Sequence, residues 1–131
     1  MSAAIPEQQA IDISCRLTEA FGLKNIKAIA DLYGDSIVVW HNHTNVFENK
    51  SENISSLSDF FELFSSVSYE DIKLTPTNGG FVQQHVIRGK LAANDHVVEL
   101  PVCLVAQIEG SKIVRLDEYV DPAPLFQALP Q

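Results

Sequence analysis

No apolar run in this sequence approaches the roughly 20 residues that a membrane helix needs, so a bilayer partner is not expected. The first residues, "MSAAIPEQQ", lack the basic start and apolar core of a secretory leader, which points to a cytoplasmic setting. Basic side chains are scarce: 9 against 17 acidic ones, for a net charge of −8. Such a surface repels phosphate backbones, and no basic stripe interleaved with aromatics is present, so nucleic acid is excluded as a partner. Cysteine is nearly absent as well. Cys15 and Cys103 lie on a helix-like and a strand-like stretch without CxxC or metal-ligand spacing, and Cys15 reads as a plain buried thiol. There is no internal repeat and no low-complexity tract. One domain spanning residues 1–131 is the simplest organisation for a chain of this length.

What is present is a clear change of period. After Pro6, suited to a helix's first turn, Ile13, Leu17 and Phe21 recur at helical spacing, with Gly22 as a stop. A second helix carries Ile26, Ile29 and Tyr33 and ends at Gly34. "SIVVWHN" is β-branched and aromatic and reads as a strand. Residues 42–55, "NHTNVFENKSENIS", read as a polar loop, followed by a helix with Leu57, Phe60, Phe61 and Phe64 on one face and Ser56 or Ser58 as its cap. Strands are then expected near 69–75, 81–91, 96–108 and 112–121, separated by "PTNGG", "AAND" and "EGS" turns. Pro101 inside the third of these implies a bulge or an edge. The tail "DPAPLFQALPQ" is too rich in proline to extend a strand and is expected to cover one end of the sheet. The fold class is α+β, with helices on one face of a curved antiparallel sheet.

Alternation within strands gathers polar groups on one face. In the last strand Val114, Leu116, Glu118 and Val120 form an apolar stripe broken by one carboxylate, while Ile113, Arg115, Asp117 and Tyr119 face the other way. Phe81, Gln83, His85 and Ile87 share a face, opposite Arg88; Ile37, Val39, His41 and His43 share another. An interior glutamate is costly unless it is paired or neutral. A pocket between sheet and helices, with Glu118 in its wall, accounts for the pattern. Glu118 at a frayed strand end and His85 as a satisfied core histidine are the plainer alternatives.

The stretches "ADLYGDSIVVWHN", "FVQQHVIRG" and "GSKIVRLDEYVDP" and the order of elements resemble the SnoaL-like and ketosteroid-isomerase-like proteins of the nuclear transport factor two-like superfamily. The resemblance implies a conical, cystatin-like α+β fold, its sheet wrapped around the N-terminal helices, with an apolar small-molecule ligand and a homodimer through the outer sheet face. The apolar "PVCLVAQI" would supply that face. It further implies acid–base work without a cofactor, of isomerase, dehydratase or cyclase type, or a non-catalytic ligand-binding or dimerisation module. By this correspondence His41 falls where ketosteroid isomerases hold their general-base aspartate; Cys103 and Leu17 fall where they hold the oxyanion-hole aspartic acid and tyrosine. Leu116, Glu118 and Val120, with Phe81, Gln83 and His85, match pocket-lining positions, and Val39 shares the face of His41. The catalytic candidates are therefore His41, His85 and Glu118. Binding falls to Leu17, Val39, Phe81, Gln83, Cys103, Leu116 and Val120. A metal held by His41, His43, His85 and Glu118 is the lesser alternative.

Overall fold

The structure, a computed structural model, describes residues 4–130. Helix α1 (Glu7–Gly22) starts directly after Pro6 and buries Ala10, Ile13, Ser14, Leu17, Ala20 and Phe21, a single helical stripe. Cys15 is one position off that stripe and is exposed, not buried. Ser14 takes the inward place by helical phase, and its hydroxyl finds an acceptor in Gln83. Helix α2 (Ile26–Leu32) is capped by Asn25, whose side chain accepts from the amide of Ala28.

Strand β1 (Tyr33–His41) follows at once, and a turn leads into the short β2 (Val46–Glu48). The expected loop at 42–55 thus contains a strand and the start of a helix. Helix α3 (Lys50–Glu62) is capped by Asn49 and not by a serine: the Asn49 side chain accepts from the Glu52 amide while the Glu52 carboxylate accepts from the Asn49 amide. Strands β3 (Phe64–Thr77), β4 (Gly80–Leu91), β5 (Val97–Glu109) and β6 (Lys112–Val120) form the meander, and helix α4 (Ala123–Ala128) packs on β5.

The six strands make one sheet in the order β2-β1-β6-β5-β4-β3. It is mixed rather than antiparallel, because β6 pairs with β1 in parallel. After β1 the chain passes through α3 to the far edge, and three hairpins bring it back beside β1 running the same way. Register shifts in β1/β6, β3/β4 and β5/β6 bend the sheet around α1, α2 and α3. One shift alters side-chain parity. Ile113 pairs with Ile108 and is fully buried, Val114 is the extra residue, and the alternation expected for β6 resumes at Arg115 and Leu116. Pro101 makes no bulge: it pairs in register with Val86, just beyond the point where β6 ends opposite Val102.

On the outer face Val82 lies opposite Val105, Gln84 opposite Cys103 and Val86 opposite Pro101. Trp40 and Tyr119 meet edge-on there at 5.4 Å.

Candidate active site

The ladder itself brings two of the expected residues together. His41, last residue of β1, is the register partner of Glu118 on β6, and Leu104 and Gln83 continue the same row across β5 and β4. Beyond His41 the two chains stay clamped: the amide of Asn42 donates to the Glu118 carbonyl, and the amide of Val120 donates to the Asn42 side chain. Side chains of partnered residues share a face, so imidazole and carboxylate stand side by side. His41 Nε2 is 3.2 Å from Glu118 Oε1, with the two side chains 20% and 26% exposed.

The other ring nitrogen faces a second carboxylate. His41 Nδ1 is 3.6 Å from Glu48 Oε1. Glu48 pairs with Val39 in the β1–β2 hairpin and therefore points inward. Helix α3 fixes it there: Asn53 Nδ2 donates to Oε1 at 3.1 Å and Ser56 Oγ to Oε2. Asn53 in turn accepts from the Tyr33 hydroxyl at 2.8 Å. A carboxylate at each nitrogen favours the imidazolium form of His41. Its pKa is raised, first by the hydrogen bond to Glu118, with partial burial opposing and the charges of Glu118 and Glu48 adding.

The pair opens on a cavity of about 370 Å³. Phe21, Leu57, Phe60, Tyr69, Ile87 and Leu100 make its apolar wall; Val120 and α4, through Leu125 and Phe126, close one side. The polar lining comes from His41, His43, Glu118, Asn53, Ser56 and Asp59. The Tyr69 phenol is pushed up in pKa, chiefly by burial and then by the charges of Glu118 and Tyr33, so it is a neutral hydroxyl near pH 7.

His85 lies elsewhere. It is on the inner face with Phe81 and Gln83, as alternation predicts, but beneath the cavity, its ring 5.1 Å from that of Tyr69. Gln83 Nε2 donates to His85 Nδ1 at 3.0 Å, which places the proton of the neutral ring on Nε2; that nitrogen has no partner among the described residues. Ser14 and Thr18 of α1 complete this second, buried cluster around Gln83. Burial lowers the His85 pKa, with the charge of Glu118 opposing, so the two histidines are shifted in opposite directions. No hydrogen bond or ion pair joins the two histidines.

Of the expected binding residues, Val120 lies on the cavity wall. Leu17, Val39, Phe81, Gln83 and Leu116 are core beneath it. Cys103 is the register partner of Tyr119 and points with it to the outer face; the inward positions of β5 are Leu100, Val102, Leu104 and Ala106. A one-residue shift reverses a strand's faces, and Cys103 is not in the cavity lining. Among the described residues no three His, Cys, Asp or Glu side chains converge as metal ligands. No helix among them is long and apolar enough to cross a membrane. Glu48 escaped the sequence reading, although the Asn49–Glu52 capping pair beside it was a readable helix start.

No protein-family model and no curated protein matches the chain. Solved structures do. A candidate polyketide cyclase from Xanthomonas campestris pv. campestris superposes with a TM-score of 0.83 at 17% identity, covering 92% of this chain and 96% of that one. A protein of ketosteroid isomerase-like fold from Catenulispora acidiphila, crystallised with trimethylamine, gives 0.79 at 12% identity over 91% and 94%. An NTF2-like (nuclear transport factor two-like) protein from Burkholderia xenovorans gives 0.76 at 15% identity over 95% and 98%. The chain therefore has the ketosteroid-isomerase-like, nuclear transport factor two-like fold.

Proposed function

We propose that the chain, as one cytoplasmic domain, binds an apolar small molecule in this cavity and moves a proton on it, through the His41–Glu118 pair. The observation that carries the reading is the 3.2 Å contact between His41 Nε2 and Glu118 Oε1 on the wall of a mainly apolar cavity. Glu118 takes a proton from a carbon beside a carbonyl; the His41 imidazolium, backed by Glu48, faces the developing negative charge, and the proton returns at the same or a conjugated carbon. The step balances without a cofactor. It is the elementary event of isomerase, dehydratase and cyclase chemistry alike. A collapsed or filled interior would favour a purely structural module. An open cavity lined by two histidines and two carboxylates favours chemistry.

The test is hydrogen–deuterium exchange at the α-carbon of a panel of bicyclic ketones in D₂O, followed by NMR. Exchange above the buffer rate is expected with the wild type, falling by about 10²-fold or more in Glu118→Gln. A panel that exchanges only at the buffer rate overturns catalysis and leaves a binding protein.

A homodimer through the outer sheet face is proposed on the apolar Val82–Val105 and Val86–Pro101 pairs. Sedimentation at micromolar concentration should give the dimer mass, and Val105→Glu the monomer mass. A wild-type monomer would exclude this interface.

A further inference from the structure

We infer that the cavity prefers an apolar ligand bearing a protonated amine to a neutral or anionic one. This rests on the cavity-binding reading above and names the ligand class of the same site. Glu118 and Asp59 line the cavity, Glu48 stands behind His41, and no lysine or arginine is in the lining. The one cation of the group, the His41 imidazolium, is already shared between Glu48 and Glu118. Three carboxylates against one imidazolium leave the wall net negative even with His41 charged. Asp59 makes no ion pair with any described residue and has its charge to offer.

The basic side chains on neighbouring elements do not supply the balance. Lys24 donates to the carbonyl of Phe64, and Lys50 to the carbonyl of Tyr33 and to Asp35. Arg115 pairs with Asp117 and lies over the Phe47 ring. Asp59 is exposed at the cavity's edge, but Glu48 and Glu118 are 16% and 26% exposed, and at such partly buried sites charge is screened less than in open water, so a carboxylate ligand is repelled and an ammonium attracted. The rings of Phe21, Phe60, Tyr69 and Phe126 line the cavity, and aromatic surface is a favourable neighbour for a cation. Greasy bulk with one positive end fits both features.

Three rigid probes of one shape separate the possibilities: 1-adamantylamine, 1-adamantanol and 1-adamantanecarboxylate. Binding is measured by calorimetry, with the methyl resonances of Leu57 and Leu125 reporting on the cavity. The amine should bind at least about tenfold tighter than the alcohol at low salt, with no saturable binding of the carboxylate. The amine's advantage should shrink as salt is added and nearly vanish in the Asp59→Asn/Glu118→Gln double variant. An alcohol that binds as well as the amine overturns the charge preference and leaves the cavity reading standing. If no probe moves the Leu57 and Leu125 methyls, both fall. An amine preference that persists in the double variant also overturns the inference, because the carboxylates would not be its cause. Should that variant not fold, the wild-type order of the three probes decides alone.

Discussion

Gly80→Ala should destabilise the protein by about 3 kcal/mol or more, a fall in melting temperature of roughly 10 °C. A Cβ at Gly80 would lie 1.9 Å from the carbonyl oxygen of Ala106 and 2.8 Å from its carbonyl carbon. Both are backbone atoms of β5, the central strand across the hairpin, so no side-chain rotation relieves the clash. Relief would require β4 and β5 to separate beside the β3–β4 turn, where Phe81, paired with Ala106, is fully buried. Gly22 is the matched control. It ends α1 with nothing within 4 Å of its Cβ position, so Gly22→Ala should be neutral or gain a few tenths of a kcal/mol from reduced freedom of the unfolded chain. Thermal melts of the two variants beside wild type make the comparison. Equal melting temperatures would mean that β4 and β5 do not approach this closely at Gly80.

How much of this was legible in the sequence depended on how local each cause is. Strand parity is a property of neighbouring residues. Phe81, Gln83, His85 and Ile87 could therefore be put on one face, and Leu116 with Glu118 on another, without knowing where the strands begin. The row His41–Glu118 needed one further fact, that β1 lies against β6 in parallel, and nothing near either strand announces it. Glu48 was hidden by brevity: a three-residue strand in a polar stretch has too few positions to show a period. Ile113 and Val114 exchanged faces because a bulge adds one residue, which no alternation pattern can contain. Cys15 was misplaced for another reason. The helical phase set by Ile13, Leu17 and Phe21 turns Ser14 inward and Cys15 outward, and the buried hydroxyl is tolerated because Gln83, far along the chain, offers it an acceptor.

The stability advantage of wild type over Glu118→Leu should be present at low pH and vanish or reverse as pH rises. His41 has a folded-state pKa raised above its unfolded value, with the hydrogen bond to Glu118 as the largest cause. The stabilisation from that contact is fully present below the ordinary histidine value of about 6.5 and is lost as pH rises through the folded pKa. Below that window wild type should exceed Glu118→Leu by about 1–3 kcal/mol, the worth of a hydrogen bond to a charged group. Above it the imidazole is neutral, the carboxylate has lost its partner, and leucine in the apolar wall should be at least as stable. His85 responds the other way: its pKa is lowered by burial, so stability falls as pH drops below the ordinary value. Its largest cause, burial, is common to both proteins; only the smaller, opposing charge of Glu118 is lost in the variant. Of the other groups facing His41, Glu48 at 3.6 Å and the His43 ring at 5.8 Å are present in both. Melting temperatures of the pair across the neutral range, with NMR titration of His41 in wild type and Glu118→Gln, read the effect twice. The His41 midpoint should fall in Glu118→Gln while its fold is kept. A stability difference that stays flat with pH, with an unmoved His41 midpoint, would dissolve the pair on which the proposed chemistry depends.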